Sequence, residues 1–262
     1  MSMKTSALLS PQVLALLLLF VVTSCKDSDK VIPIECTGIH WTYEGVEGPE
    51  HWDDLCVGYV SCGGRSQSPV DIVNVVADAG LSAIAANYHE SATHILNNGH
   101  TIVFNYDAGS EITVNGEVYK LLQFHFHTLS EHTVNGQHYP MEVHLVHENE
   151  TTGKLAVIGV FFEEGAENEL LKKYMGHLPE HHDETYEATD LFAAADLLPA
   201  GDGYYTYPGS LTTPPCSEIV TWLVMKGHIT ASHDQILEIE TLEHENNRPV
   251  QTLYSRAISS FH

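Results

Sequence analysis

The chain has 262 residues, of which 43% are apolar, so it is long enough to bury the core of one large domain. Eleven Lys and Arg against 35 Asp and Glu give a formal net charge of −24. This charge repels nucleic acid and anionic membrane surfaces, and we therefore expect no nucleic-acid partner.

The N-terminus has the pattern of an export signal. Lys4 supplies a short positive region, and the uncharged run over 13–22 is too short to cross a bilayer as a helix. The run ends in Val22-Thr23-Ser24-Cys25, which resembles the lipobox at which bacterial lipoproteins are cut and acylated on the cysteine. A plain secretory signal with an incidental cysteine is the alternative. The predicted divisions are a signal peptide (1–24), a lipidated Cys25 with a tether (25–37) and one folded domain (38–262).

Four further cysteines remain after Cys25, namely Cys36, Cys56, Cys62 and Cys216. An even number in an exported protein favours two disulfide bonds over free thiols, although the sequence permits three pairings. We expect the protein in the periplasm or cell envelope, held to a bacterial membrane only through a lipid on Cys25.

Strand patterns dominate the middle of the chain. Residues 112–119 place apolar and β-branched residues around Asn115-Gly116, which predicts a hairpin. Helical patterns are fewer, with one helix predicted over 167–175 and a second opening at the capping box 232–235. The pattern predicts a mainly β, or α+β, single domain with a central, mostly antiparallel twisted sheet and peripheral helices. The other predicted strands are 101–106, 120–127, 141–147, 155–162 and 218–226.

A candidate metal site lies in two of these strands. Gln123, His125 and His127 are spaced two apart, so on a strand they face one side while the intervening phenylalanines face the other. The next strand can place His144 beside the pair. Three neutral imidazoles suit Zn²⁺, and three protein ligands rather than four leave a position for water, as in catalytic zinc sites.

A cupin metal site is the rival interpretation. The spacing of His125, His127 and Glu131, followed by a later His, also fits the first cupin motif, in which the Glu is a ligand to iron or manganese. The second cupin motif has Pro and Gly before its last His and an Asn after it. His144 instead follows Met141-Glu142-Val143 and precedes Glu148 at the corresponding place. The context therefore disfavours a metal dioxygenase.

From about His40 to Arg256 the chain resembles the α-class carbonic anhydrases. The resemblance is carried by long motifs in a fixed order: His40-Trp41-Thr42-Tyr43, Gln67-Ser68-Pro69-Val70-Asp71-Ile72, Asn98-Gly99-His100, residues 123–127, Ser130-Glu131-His132-Thr133, residues 142–147, residues 207–215 and Asn246-Asn247-Arg248-Pro249.

The resemblance assigns roles to the residues that match these motifs. His125, His127 and His144 would bind zinc, Thr212 and Glu131 would orient the zinc hydroxide, and His100 would shuttle the proton. The remaining assigned residues are the partners of the ligand imidazoles (Gln123, Glu142, Asn246), the polar side of the pocket (Tyr43, Thr213) and the apolar wall that receives carbon dioxide (Val146, Val157, Leu211, Val220, Trp222).

The activity implied by the resemblance is reversible hydration of carbon dioxide to bicarbonate and a proton by zinc-bound hydroxide, at the base of a conical cleft in the sheet. Sulfonamides and anions would inhibit, a side esterase activity is compatible with the same chemistry, and the protein would be a monomer or a homodimer. A catalytically silent binding module on the same fold is the alternative. Silent relatives lose zinc histidines, whereas all three are present here.

The resemblance also implies a disulfide between Cys62 and Cys216, which leaves Cys36 and Cys56 to pair by elimination. Two departures from the family pattern are visible: Thr128 and Tyr205 stand at or near positions that commonly hold Trp. We expect them to alter local packing and inhibitor fit rather than the reaction.

Overall fold

The computed structural model describes residue 36 and residues 38–262. The predicted signal peptide, Cys25 and most of the predicted tether lie outside the described residues. Among the helices of the described part, none is long and apolar enough to cross a membrane.

The described residues form short helices around many strands. The α-helices are α1 (Trp52–Leu55), α2 (Glu169–Tyr174) and α3 (His233–Glu243), and 3₁₀ turns cover Gly45–Glu47, Val57–Gly63 and Ala194–Leu197. The strands are β1 (Asp71–Ile72), β2 (Val76–Ala77), β3 (Ala85–Asn87), β4 (Glu90–Ser91), β5 (Thr93–Asn97), β6 (Ile102–Tyr106), β7 (Glu111–Val114), β8 (Glu117–His127), β9 (Thr133–Val134), β10 (Met141–Glu148), β11 (Leu155–Glu164), β12 (Thr185–Glu187), β13 (Phe192–Ala193), β14 (Tyr204–Gly209), β15 (Val220–Ala231) and β16 (Ser259–Phe261).

One 12-stranded sheet organises the domain, in the order β12-β5-β6-β8-β10-β11-β15-β14-β16-β2, with β7 also paired to β8 and β3 to β7. The β11–β15 and β16–β2 pairs are parallel, and the other pairs of this sheet are antiparallel. The predicted mainly β fold with a mostly antiparallel central sheet is therefore confirmed. Two small sheets, parallel β1–β9 and antiparallel β13–β4, lie outside it.

The local turn and capping patterns form as predicted. Asn115 and Gly116 have φ values of 49° and 81° between β7 and β8, the left-handed conformation that a two-residue hairpin of this hand requires. Helix α3 begins with a complete capping box, in which the Ser232 side chain accepts from the Gln235 N–H and Gln235 bonds back to the Ser232 N–H. The last predicted strand is longer than expected because β15 stays paired through Ala231 with the parallel strand β11.

Strands β8 and β10 have a large hydrophobic core on one side and a histidine-bearing surface, called the functional face below, on the other. Phe124, Phe126, Val143 and Leu145 pack into the larger hydrophobic cluster on one side of β8 and β10. Alternation along each strand sends the intervening histidines to the opposite side. The sheet thus supplies a rigid, apolar backing to the histidine-bearing surface.

Two disulfide bonds join the cysteines of the described part. Cys36 is bound to Cys56, and Cys62 is bound to Cys216 across 154 residues. The Cys62–Cys216 bond is the one implied by the family resemblance, and the Cys36–Cys56 bond is the one expected by elimination. The first bond ties residue 36 to the domain, so the chain is anchored slightly before the predicted domain start.

Candidate metal centre and active site

Three imidazoles meet on the functional face of the sheet. His125 on β8 and His144 on β10 are direct partners in the antiparallel register, and His127 lies two residues farther along β8. The ring centroids are 4.6–5.4 Å apart, and each residue offers one nitrogen within 4.8 Å of those of the other two. The register of two strands therefore brings together the predicted ligand set.

Each of these rings is held by a hydrogen bond through one nitrogen, which leaves the other nitrogen free. The three contacts are His125 Nδ1 with Gln123 Oε1 at 2.9 Å, His127 Nδ1 with the main-chain oxygen of Asn246 at 2.8 Å, and His144 Nε2 with Glu142 Oε1 at 2.9 Å.

This pattern fixes which nitrogens can bind a metal. The ring N–H points to the oxygen acceptor, so the free lone pairs are those of His125 Nε2, His127 Nε2 and His144 Nδ1. Burial lowers the pKa of His125 and His127, and the neighbouring imidazoles lower the pKa of His125 further. The neutral form, which a metal ligand requires, is thereby favoured.

Unsatisfied polar atoms mark the space between the rings. His127 Nε2 and Glu131 Oε2 are buried without a hydrogen-bond partner. A buried polar atom without a partner is costly, and a divalent ion bound by the three nitrogens would satisfy the imidazole. The donor set and its convergence fit Zn²⁺, which prefers imidazole nitrogen in tetrahedral geometry.

A second cluster of His132, Glu142 and His144 is a poor metal site. Glu142 Oε1 lies 2.8 Å from His132 Nδ1 and 2.9 Å from His144 Nε2, which are hydrogen-bond distances. Its other oxygen accepts from the His132 main-chain N–H at 2.9 Å. Both Glu142 oxygens and both His132 nitrogens already have partners, so the cluster acts as a support for His144.

Two features suit Glu142 to this supporting role, namely a lowered pKa and the space around its carboxylate. Burial alone would raise its pKa, but the electrostatic interactions and hydrogen bonds with the His132 and His144 imidazoles outweigh burial and hold the pKa of Glu142 well below its usual range. Gly159 on β11 makes room for this carboxylate, because a Cβ at that position would lie 2.7 Å from Glu142 Oε1. The glycine is therefore required by close approach.

Glu131 faces the ligand nitrogens from the loop after β8. It is fully buried, and its Oε1 accepts from the main-chain N–H of Arg248 at 2.8 Å. Its unpaired Oε2 lies 3.6 Å from His127 Nε2 and 3.9 Å from His144 Nδ1. One oxygen is thus anchored while the other is directed toward the space a metal would occupy.

Thr212 is buried, but the hydrogen bond to Glu131 implied by the resemblance is not formed among the described residues. Glu131 Oε2 has no partner in this structure. Thr213 is half-buried beside Thr212, and its carbonyl accepts from the Cys216 N–H at 2.9 Å. The orienting role of Thr212 therefore stays a prediction.

His100 lies at a turn beside a large cavity. Asn98 Oδ1 accepts from the main-chain N–H groups of His100 and Thr101, both at 2.9 Å, and these bonds close the turn. The imidazole stacks on Trp41 with centroids 3.6 Å apart and planes 9° from parallel. Burial, with smaller contributions from the imidazoles of His40 and His182, lowers the pKa of His100 to about 4.

The cavity beside His100 has a volume of about 920 Å³, and Tyr43 and Glu243 also line it. Tyr43 packs edge-on against Trp41 and Trp52. Its hydroxyl is buried without a hydrogen-bond partner, and burial raises its pKa well above the ordinary value. The hydroxyl is therefore neutral, and its hydrogen-bonding capacity is unused among the described residues.

The predicted apolar wall lies in one hydrophobic cluster next to the histidines. Val146, Val157 and Trp222 are neighbours in a single row across β10, β11 and β15. Val220 is buried in the same cluster and the half-buried Leu211 packs against it. Trp222 also contacts His144, with ring centroids 4.8 Å apart, so the wall reaches the metal ligands.

The two departures from the family pattern lie outside the ligand set. Thr128 is buried, and its main-chain N–H donates to Asn246 Oδ1 at 3.0 Å. Tyr205 is half-buried and packs against the cluster that contains the apolar wall, with Lys226 over its ring.

Sequence reasoning gave no role to several buried residues that hold the site together. His132 bonds Glu142 through one nitrogen and approaches the Tyr207 hydroxyl at 2.6 Å through the other. Arg248 is buried and donates to Gln67 Oε1 at 2.8 Å and to the Cys62 carbonyl at 3.0 Å. Both residues lie inside sequence motifs that carry the family resemblance, and their place in those motifs was the only indication of a role in the site.

Comparisons with known proteins agree with this geometry. The family described as eukaryotic-type carbonic anhydrase matches residues 47–262. A carbonic anhydrase from Nostoc sp. is 39% identical over 260 residues, covering 97% of this chain and 98% of that protein. One from Klebsiella pneumoniae is 41% identical over 232 residues, covering 87% of this chain and 94% of that protein.

A solved structure extends the similarity to the fold. The α-carbonic anhydrase of Thermovibrio ammonificans, in complex with the inhibitor sulfanilamide, is 42% identical with a TM-score of 0.82 and covers 85% of this chain and 99% of its own. The chain therefore belongs to the eukaryotic-type, or α-class, carbonic anhydrases.

Proposed function

We propose that this carbonic anhydrase hydrates carbon dioxide at a zinc ion held by His125 Nε2, His127 Nε2 and His144 Nδ1. The observation that carries the proposal is the convergence of three imidazoles, each fixed by a hydrogen bond through its other nitrogen. When bound, zinc lowers the pKa of its water to about 7, an effect for which carbonic anhydrase is itself the reference case.

Gln123, Glu142 and Asn246 orient the ligands. Each supplies an oxygen to the ring N–H of one ligand, which fixes the tautomer and increases the basicity of the coordinating nitrogen. Two of these oxygens belong to side chains and the third to the main chain of Asn246.

Glu131 and Thr212 set the direction of attack. With Glu131 Oε1 held by the Arg248 N–H, Oε2 is the free acceptor to which the Thr212 hydroxyl would donate. A hydroxyl that donates to a carboxylate can only accept from a nucleophile on its other side, which fixes the attacking lone pair. The apolar wall around Val146 and Trp222 would hold the uncharged substrate there.

His100 would carry the proton away, with Tyr43 and Thr213 binding the intervening water. A base whose pKa is about 4 accepts protons poorly near neutral pH, and this value belongs to the ring stacked on Trp41. The shuttle role therefore requires the ring to turn off Trp41 into water, where an imidazole pKa of about 6.5 matches the transfer.

Sulfonamides and simple anions would inhibit by occupying the open metal position. The relative from Thermovibrio ammonificans is described in complex with sulfanilamide. The same site would act on small activated esters as a side activity. The protein would act as a monomer or a homodimer.

We further propose export and lipid attachment. Residues 1–24 would be removed as a signal peptide, Cys25 would carry the lipid, and the tether over 25–37 would lead to the domain over 38–262. Two disulfides in the described part support an oxidising compartment such as the periplasm or cell envelope.

The experiment that tests the function joins elemental analysis to a stopped-flow hydration assay on the purified protein. One zinc per chain with rapid hydration supports the proposal. Zinc with only the uncatalysed rate supports the silent binding module instead. Iron or manganese in place of zinc would support a cupin-type metal dioxygenase, which the carbonic anhydrase fold already argues against.

A further inference from the structure

Glu243, at the end of α3, is a buried acid outside the set of residues assigned above. Its side chain is 8% exposed, yet no positively charged group contacts it among the described residues. Three donors surround it instead. Oε1 accepts from the Ile102 N–H at 2.7 Å and from the Thr101 hydroxyl at 2.9 Å, and Oε2 accepts from Asn246 Nδ2 at 2.8 Å.

Asn246 connects this carboxylate to the end of β8. Its side-chain N–H₂ donates to the Phe126 carbonyl at 3.0 Å as well as to Glu243, and its Oδ1 accepts from the Thr128 N–H at 3.0 Å. Its main-chain oxygen accepts from His127 Nδ1 at 2.8 Å. Asn246 thus contacts the residue before His127, the residue after it and the His127 ring itself.

We propose that Glu243 is a positioning residue that fixes Asn246 and, through the Asn246 carbonyl, the orientation of the His127 imidazole toward the metal. The proposal rests on the zinc site proposed above. Glu243 accepts hydrogen bonds both from Ile102 at the start of β6 and from Asn246 in the loop after α3. These bonds hold the loop that carries Asn246 against the sheet.

Only a carboxylate meets all three donors. A glutamine of the same shape has one oxygen and one N–H₂ group, so either orientation places the N–H₂ against a donor, Asn246 or the Ile102 N–H. The substitution Glu243→Gln therefore keeps the packing volume while removing an acceptor. Burial raises the pKa of Glu243 to about 8, so a comparison at pH 9 sets the carboxylate against the amide.

Zinc dissociation provides the test. The zinc-loaded wild type and Glu243→Gln are mixed with excess chelator at pH 9, and the rate of zinc loss is measured together with the NMR resonance of the His127 Nδ1–H. We expect about 10-fold faster zinc loss, the low end of the roughly 10- to 100-fold cost of losing an outer partner of a metal ligand. The Nδ1–H resonance should shift as its bond to Asn246 weakens.

Glu238→Gln is the matched control. Glu238 is on the same helix and also accepts a main-chain N–H, that of Gly176 at 2.8 Å, but it has no contact with Asn246. Its variant should release zinc at the wild-type rate. If Glu243→Gln does not fold, Thr101→Val, which removes one donor to Glu243, should show a smaller acceleration in the same direction.

Two results would overturn the inference. One is an unchanged zinc-loss rate in the folded Glu243→Gln variant, or in Thr101→Val if the first does not fold. The other is an equal acceleration in Glu238→Gln, which would show that any weakening of α3 has the same effect. A wild type that retains no zinc would instead refute the proposed zinc site itself, so the two failures are distinguishable.

Discussion

Replacing Glu131 with glutamine separates the two roles that its position permits. Its Oε2 is unpaired and 3.6 Å from His127 Nε2, so it is either the acceptor for Thr212 or an additional metal ligand, as in a cupin. In the wild-type protein the Arg248 N–H donates to Glu131 Oε1 at 2.8 Å. A glutamine at position 131 keeps an oxygen for this donor and places an N–H₂ group where Oε2 lies. The substitution therefore changes one acceptor into a donor with little change in shape.

We expect Glu131→Gln to lower the hydration rate by the amount that one active-site hydrogen bond contributes. The Thr212 hydroxyl would lose its acceptor and would no longer fix the attacking lone pair. Removing one such active-site hydrogen bond costs about 10²–10³-fold in rate, or about 3–4 kcal/mol. Because all three imidazoles and their partners are untouched, we expect Glu131→Gln to hold one zinc per chain.

The assay is stopped-flow hydration with zinc content measured on the same preparation. Glu148→Gln is the control, since Glu148 ends β10 and has no side-chain hydrogen bond among the described residues. It should keep the wild-type rate. Loss of zinc from Glu131→Gln would make Glu131 a ligand, and an undiminished hydration rate would remove it from the orienting role.

Four further outcomes are expected. Glu142→Gln, which deprives His132 and His144 of a shared acceptor, should weaken zinc binding by roughly 10- to 100-fold in chelator competition, and unchanged affinity would contradict its supporting role. His100→Ala should slow turnover in dilute buffer with recovery on adding imidazole, and an unaltered dilute-buffer rate would exclude His100 as the shuttle. Replacing Cys62 and Cys216 by alanine should lower the free energy of unfolding by about 2–5 kcal/mol in denaturant titration, whereas an equal midpoint would deny the bond a stabilising role. Because burial raises the pKa of Glu243 from 4.5 to about 8, ionising this buried carboxyl costs folding free energy, so the free energy of unfolding is highest below about pH 4.5 and falls as pH rises through 8. The difference in unfolding free energy between zinc-free wild type and Glu243→Gln should therefore fall over that interval, and a flat difference would show that the carboxyl pKa is not raised.

Much of the sheet was predictable because long strands carry their own pattern. The alternation in β8 and β10 and the turn at Asn115-Gly116 depend on neighbouring residues only, so both strands and the hairpin were located closely. Strands of two residues, such as β1 and β9, could not be predicted. Their pairing depends on chain segments brought together by the rest of the fold.

The ligand set was predictable for the same reason, since the spacing in His125-Phe126-His127 and the adjacent strand determine which side chains converge. The supporting contacts were less accessible. Asn246 acts on His127 through its main-chain oxygen across 119 residues, and side-chain identity carries no information about such a contact. Glu243 looks like any acid near a helix end until its burial is known.

The most direct test of the zinc centre is anomalous diffraction at the zinc edge from crystals of the zinc-loaded protein. We predict one peak at about 2.0–2.1 Å from His125 Nε2, His127 Nε2 and His144 Nδ1, with a solvent molecule as the fourth ligand. A peak elsewhere, or a fourth bond from Glu131 that closes the site to solvent, would contradict the account.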